Sequence, residues 1–269
     1  MASKQVLVTV FVFAATFNSL ALWPAAACTA PKTPIGPIAE YAGDGHSSRF
    51  TAFYDGATRR YRHAVLGDSI EGSVLTVITP RTRDRCGLRV KLDLAHVFED
   101  ISPRLVDLDG DKQPEVITVR SHRDKGAQLA VYKIAAGKLE MVASTPYIGR
   151  AHRWLAPIGA ADLDGDGNIE IAYIDRPHLA KELRIWRYRN GKLKPVSKAS
   201  GLTNHRIGED FITGGVRTCE ARPELITVDG GWSRIMATTL DRDGRINTRS
   251  IGRFVGQRSM VAALACKAG

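Results

Sequence analysis

The sequence predicts an all-β protein made of repeated four-stranded units, and three observations carry that prediction. First, an apolar strand follows each of two acidic loops. Glu115-Val-Ile-Thr-Val119 follows Asp107-Leu-Asp-Gly-Asp-Lys-Gln-Pro, and Glu170-Ile-Ala-Tyr-Ile174 follows Asp162-Leu-Asp-Gly-Asp-Gly-Asn-Ile. Second, the strand recurs as Glu224-Leu-Ile-Thr-Val228 and, aligned more loosely, as His63-Ala-Val-Leu66. This places four loop origins at Asp55, Asp107, Asp162 and Val216, spaced 52, 55 and 54 residues apart. Third, a glycine turn between strand-like runs follows each such strand, at Cys86-Gly87, Ala136-Gly137, Asn190-Gly191 and Asp243-Gly244. Asn-Gly and Asp-Gly favour hairpins because both central residues of a type I′ turn need positive φ.

Each unit therefore reads as one strand into the acidic loop, one strand out, and a hairpin. Arrays of four-stranded units at this period define a β-propeller, in which blades with two apolar faces stack around an axis. Four blades is the first choice, and five, one of them composite, the second. The units fall at about 46–95, 96–150, 151–204 and 205–250, with 251–269 supplying a closing strand through Ser259-Met-Val-Ala-Ala-Leu-Ala265.

Residues 1–27 read as a signal peptide. Lys4 precedes the apolar stretch Val6–Leu22, and small residues lead to Cys28. Export to the periplasm or beyond is expected, and no later stretch is long and apolar enough to span a bilayer. A cysteine at this place also allows a lipid anchor, but Ala25 stands where such signals carry leucine. Cys28, Cys86, Cys219 and Cys266 suit two disulfides in an exported chain, with three connectivities open. On the repeat map Cys219 and Cys266 both fall at loop level on neighbouring units, which favours their pairing and leaves Cys28 with Cys86. The formal charge of +10 favours anionic partners, while the dispersal of Lys and Arg argues against a nucleic-acid tract. A monomer is expected.

The acidic loops have the spacing of an all-oxygen cage. Side chains at positions 1, 3 and 5 converge when the chain curls, position 7 offers a backbone carbonyl, and position 9 closes the shell. The ligands are Asp107, Asp109, Asp111, Gln113 and Glu115 in one loop, and Asp162, Asp164, Asp166, Asn168 and Glu170 in the other. Crowded carboxylates repel unless a cation neutralises them, and oxygen ligands suit Ca²⁺. The loops at Asp55 and Val216 lack the pattern, so two structural calcium ions are expected.

Asp-x-Asp-Gly-Asp-Gly with an acid at position 9 resembles the FG-GAP/VCBS repeat, the calcium-loop blade of integrin heads and of many secreted bacterial proteins. The chain is similar to exported VCBS repeat-containing proteins also in Trp154-Leu-Ala-Pro157 and Asn204-His-Arg-Ile-Gly208. The resemblance implies a calcium-stabilised propeller with integrin-like loops and a binding role, and names no ligand.

Because strands alternate in direction, the acidic loops and glycine hairpins share one face and the other connections share the opposite face. His46, His96, His122, His152, His178 and His205 map to that opposite face. Arg123, Arg150, Arg153, Trp154, Arg176, Arg206 and Trp232 fall in or near the same connections. His, Arg and Trp suit an anionic ligand or sugar by charge, paired hydrogen bonds and stacking. Histidines inherited by each repeat also serve simply to satisfy backbone carbonyls. No serine-nucleophile or zinc-protease motif is present. The reading is a non-enzymatic binding module for an anionic ligand, glycan or protein partner. The alternative is a polysaccharide- or phosphoester-cleaving enzyme on the same face, with Glu209 and Asp210 near His205 as a carboxylate pair.

Overall fold

Strands whose residues are apolar on both sides cannot rest against water on either face, and this decides how the sheets assemble. The computed structural model describes residues 33–42, 49–82 and 87–267. The signal-peptide reading, Cys28, Cys86 and His46 lie outside them. The first sheet holds β1 (Ile35–Ala42), β2 (Arg49–Asp55), β3 (Val74–Ile78) and β4 (Leu88–Lys91). The second holds β5 (His96–Phe98), β6 (Arg104–Val106), β7 (Glu115–His122), β8 (Gly126–Ala135) and β9 (Lys138–Ser144). The third holds β10 (Leu155–Ala161), β11 (Glu170–Asp175), β12 (Glu182–Arg189) and β13 (Lys192–Ser200). The fourth holds β14 (Leu202–Thr203), β15 (Gly215–Arg217), β16 (Glu224–Asp229), β17 (Arg234–Leu240) and β18 (Ile246–Arg253), and α1 (Gln257–Leu264) follows.

The protein is thus all-β, with four antiparallel sheets of four or five strands, each formed from consecutive segments of chain. In the second and fourth sheets the first strand is split in two, β5/β6 and β14/β15, each pair lying along one neighbour. Three hairpin turns fall at the predicted glycines Gly137, Gly191 and Gly244. Ala136–Gly137 and Asn190–Gly191 both have positive φ (47° and 75°, 51° and 68°), as a two-residue primed turn requires.

Three apolar layers lie between consecutive sheets. Tyr54, Leu75 and Val77 meet Phe98, Val116 and Tyr132. Ile117, Leu129 and Val131 meet Leu155, Ile171 and Trp186. Ile174, Leu183 and Ile185 meet Leu225 and Leu240. A fourth layer joins Ile226, Val228, Ile235 and Ala237 to Met260 and Ala263 of α1.

Two expectations need correction. The first unit's second strand is β2, not His63–Leu66, so Asp55 is no loop origin. It ends β2 as Asp175 ends β11 and Asp229 ends β16. The Ala64-Val65-Leu66 run imitates a strand, but it lies in the 56–73 connection, where Val65 plugs the core between the second and third sheets. Asp55, fully buried, instead pairs with Arg89 (2.8 Å) and accepts from Thr76 Oγ1 (3.0 Å) on the first sheet's outer face. Secondly, the expected closing strand is helical. The fourth sheet already has its last strand in β18, and what it lacks is a cover. Met260, Ala263 and Leu264 provide one at helical spacing.

Cys219 and Cys266 form a disulfide with Cα atoms 5.5 Å apart, tying the loop before β16 to the second residue past α1. The bridge closes a loop across 47 residues. Cys219→Ser with Cys266→Ser is expected to cost about 4 kcal/mol of unfolding free energy on the chain-entropy estimate. Urea denaturation measures it, and an unchanged midpoint would show that α1 docks without the bridge.

Candidate functional site

The two ends of the stack differ in chemistry. At one end β10 delivers Asp162 and β11 begins with Glu170. Asp162 Oδ1 accepts from the N–H groups of Gly165 (2.8 Å) and Asp166 (3.1 Å), and Oδ2 from Gly167 (3.0 Å), which curls the loop. Glu170 Oε2 accepts from Leu163 N (2.9 Å). The neighbouring loop repeats this. Asp107 accepts from Gly110 and Lys112, and Glu115 Oε2 from Leu108 N (2.8 Å). Lys112 adopts φ 69° where the other loop has Gly167 at φ 86°, so a lysine takes the strained position without loss of the curl. Gln113 and Asn168 donate their N–H groups to Asp111 and Asp166 (2.8 Å each).

Carboxylate oxygens of Asp107, Asp109 and Glu115 lie within 4.8 Å of one another, as do those of Asp162, Asp164 and Glu170. Buried Glu115 Oε1 has no hydrogen bond of good geometry, and Lys133 Nζ at 3.1 Å is the cation beside it. Such a set fits a hard cation. Sequence reasoning missed the cations the chain itself supplies. Lys133 Nζ stands 2.5 Å from Asp109, 2.8 Å from Asp111 and 3.1 Å from Glu115. Arg187 contacts Asp164, Asp166 (3.1 Å) and Glu170 (2.6 Å). The register explains the repetition. Arg187 lies directly across from Glu170, and Lys133 sits one step beyond the Val116–Tyr132 pair, across from Glu115. In the fourth unit Glu224 is held by Arg217 (2.7 Å) and Arg249 (2.6 Å). Burial pushes the Glu115 and Glu170 carboxyls up against the pull of their cationic partners. Burial also acts to raise Asp111, but the bonds from Lys133 and Gln113 N outweigh it and hold it low.

At the opposite end all six described histidines gather, His63 among them. The 56–73 connection folds over the centre, so the middle of this end is filled and not hollow. His63 Nδ1 meets Glu99 Oε1 (2.5 Å), Ser121 Oγ donates to Glu99 Oε2, and Trp154 Nε1 donates to the Glu99 carbonyl (2.8 Å). His152 is exposed, stacks on His63 (5.1 Å) and donates its backbone N–H to Tyr61 Oη (3.0 Å). Glu71 is buried beside this group. Burial first, then Glu99, Asp68 and Asp100, push its carboxyl up to about 9.

His205 is 1% exposed and His178 half-buried. Their rings share a 2.9 Å bond, and His205 Nε2 bonds the Glu209 carbonyl (2.9 Å). Burial, then His205 and His63, lower His178 to about 4, which keeps it neutral. Glu209 thus contributes its carbonyl here, while its carboxylate accepts from Arg206 N (3.2 Å), a local cap. The guanidinium of Arg206 lies 4.1 Å over the Trp232 ring, with Phe254 5.4 Å from that ring. Arg176 pairs with Asp175 (2.8 Å), Arg123 with Asp124 (3.2 Å), and Arg153 donates to the His152 carbonyl (2.9 Å). Arg150 is exposed, and its carbonyl crowds Gly126. A Cβ on Gly126, at φ 72°, would sit 2.3 Å from that oxygen.

A third group joins His96 and His122 to residues the sequence did not single out. His96 Nδ1 meets Asp93 Oδ1 (2.6 Å), and its Nε2 meets Tyr147 Oη (2.8 Å), which also accepts from Arg120 Nη1 (2.9 Å). His122 packs edge-on to His96 (4.8 Å). Burial lowers His96 and raises Tyr147, so both are neutral near pH 7. A neutral imidazole oriented by a carboxylate can take a proton from the phenol, with Arg120 steadying the oxygen. Asp93 and Tyr147 lie 54 residues apart in ordinary loop sequence, which left no local signal.

Residues 107–173 match the FG-GAP-like repeat family, and this stretch, from the first acidic position of one cage through most of β11, is an FG-GAP-like repeat. No curated protein matches the sequence. Among solved structures the chain is similar to the exotype rhamnogalacturonan lyase YesX at 14% identity and a TM-score of 0.48, covering 83% of this chain and 48% of that one. It is also similar to Saccharomyces cerevisiae Sqt1, at 10% identity and a TM-score of 0.38, covering 80% of this chain and 47% of that one. The chain spans about half the length of either.

Removing Arg187 leaves buried Glu170 and Asp164 unpaired. Arg187→Met is expected to destabilise the metal-free protein by about 3 kcal/mol, with calcium restoring most of the loss and binding more tightly than in wild type. Thermal melts with chelator and with calcium check this, and equal melting of both proteins in chelator would refute it. Glu71 has a raised folded pKa. Its contribution is present below its unfolded value of about 4.5 and is lost as pH rises toward 9. Glu71→Gln is expected to stabilise by about 3 kcal/mol at pH 7 and to be neutral at pH 4, measured by denaturation at both pH values.

Proposed function

We propose that the four sheets are the blades of an exported β-propeller, stabilised by Ca²⁺ at the two acidic cages, that acts as a non-enzymatic binding module for an anionic glycan, ligand or protein partner. The stacking of four consecutive sheets supports the propeller, and so does a bond from Gly208 N to the Val65 carbonyl (3.0 Å) that ties the fourth unit back to the first. First and last blades meet through these loops. The FG-GAP-like repeat and the donor set at each cage support calcium. The Cys219–Cys266 bridge suits an oxidising compartment, and no described helix is long and apolar enough to cross a membrane.

One observation carries the binding reading. The acidic cages occupy one end, and Arg123, Lys125, Arg150, Arg153, Arg206 and Arg253 are displayed at the other, around a centre closed by loop 56–73. A closed centre ringed by cations reads an extended anionic surface better than a small molecule in a pocket. A second reading, an enzyme cleaving a polysaccharide or phosphoester, is favoured specifically by the Asp93–His96–Tyr147 chain with Arg120.

The test is binding to an array of sulfated, carboxylated and neutral glycans. Arg153→Ala with Arg206→Ala is expected to weaken acidic-glycan signals about tenfold, the loss of about 1.4 kcal/mol, while Asp243→Asn at the acidic end leaves them unchanged. Turnover of a model substrate that disappears in Tyr147→Phe would replace the binding reading with the enzymatic one.

A further inference from the structure

The exposed apolar side chains are not scattered. Among the described residues, five of the eight large hydrophobic side chains that stand exposed lie on connections at the basic end: Leu94 (82% exposed), Leu179 (63%), Ile207 (72%), Phe211 (38%) and Val255 (76%). The other three, Ile38, Met141 and Val261, lie within β1, β9 and α1. No described residue of the acidic end's turns is among the eight.

Four of these five tips have a cation nearby, and the fifth, Phe211, follows Asp210. Leu179 sits between Arg176 and Lys181, Ile207 follows Arg206, and Val255 lies two residues past Arg253. Leu94 adjoins Ala95, whose carbonyl accepts from Arg123 N (2.9 Å). Trp232, with Arg206 over its ring, stands in the same rim at a turn held in positive φ (59°).

The geometry points to this end as a docking face for an anionic lipid surface, with the aliphatic tips entering the acyl boundary and the cations meeting headgroup phosphates. This rests on the reading of the basic end as the binding end and names its partner. A protein interface wants a contiguous apolar centre inside a polar rim. Here the apolar residues are tips on four connections, with cations near four of the five. A bilayer accepts such side chains one at a time, and headgroups accept the cations. The filled centre leaves the rim as the part that meets a partner.

The experiment is co-sedimentation of the mature protein with phosphatidylglycerol-containing vesicles and with pure phosphatidylcholine vesicles, beside binding to soluble heparin. Wild type is expected to sediment with the anionic vesicles and not with the neutral ones. Leu94→Gln with Ile207→Gln and Val255→Gln, all at exposed positions, is expected to lower vesicle partition about tenfold and leave heparin binding unchanged. Arg153→Ala with Arg206→Ala weakens both. If the triple variant sediments like wild type, or wild type binds heparin but no vesicles, the lipid assignment is overturned and the basic end remains a binding end for soluble anions. If neither probe binds, both readings are overturned.

Discussion

The second, third and fourth sheets each have two apolar faces, and the architecture follows from the need to cover both. Leu75 and Val77 on one side, or Ile117 and Ile171 in the middle, are buried only because another sheet lies across from them. Hydrophobic burial at about 25 cal/mol per Å² makes an uncovered face of this kind untenable. The middle sheets are covered by neighbours. The fourth is covered by α1, which Cys219–Cys266 fastens, and the first sheet's outer face carries the buried Asp55–Arg89 pair. The helix thus covers an apolar face, while the first sheet's other face is made polar by Asp55, Thr76 and Arg89.

The same economy governs the acidic cages. Carboxylates gathered by backbone N–H bonds must be neutralised, and the cross-strand register sets a lysine or arginine opposite the buried glutamate in two successive repeats. Lys133 and Arg187 sit at the ends of long side chains, about three-quarters buried, so they can leave for solvent when a divalent ion enters. A divalent ion in the cage would compete with the tethered cation for one set of oxygens. Glu115 and Glu170, at the start of the outgoing strands, also fasten each loop through Leu108 N and Leu163 N.

At the basic end, loop 56–73 turns a cluster of histidines into a packed structural unit. Burial, then His205 and His63, hold His178 neutral, burial lowers His205, and His63 is committed to Glu99. Residues that resembled ligand donors in the sequence are therefore largely engaged with the protein itself. What this rim exposes is a set of cations, Arg123, Lys125, Arg150 and Arg206 among them, and the aliphatic tips Leu94, Ile207 and Val255.

Much was legible in the chain itself. The repeat, the hairpin glycines and the carboxylate spacing are local patterns, and local patterns survive in sequence because backbone periodicity and turn geometry act over a few residues. The segregation of histidines to one end follows from strand alternation alone. Where Asp55 belongs could not be read this way, because Ala64-Val65-Leu66 satisfies the same short pattern as a strand. Only its burial between two other sheets tells plug from strand. Likewise Ser259–Ala265 is an apolar run that suits strand or helix, and the completed fourth sheet made it a helix. Lys133 facing Glu115, Tyr147 reaching His96 and loop 56–73 closing the centre join residues far apart in the chain. No periodicity encodes those contacts, and the packing of the sheets decided them.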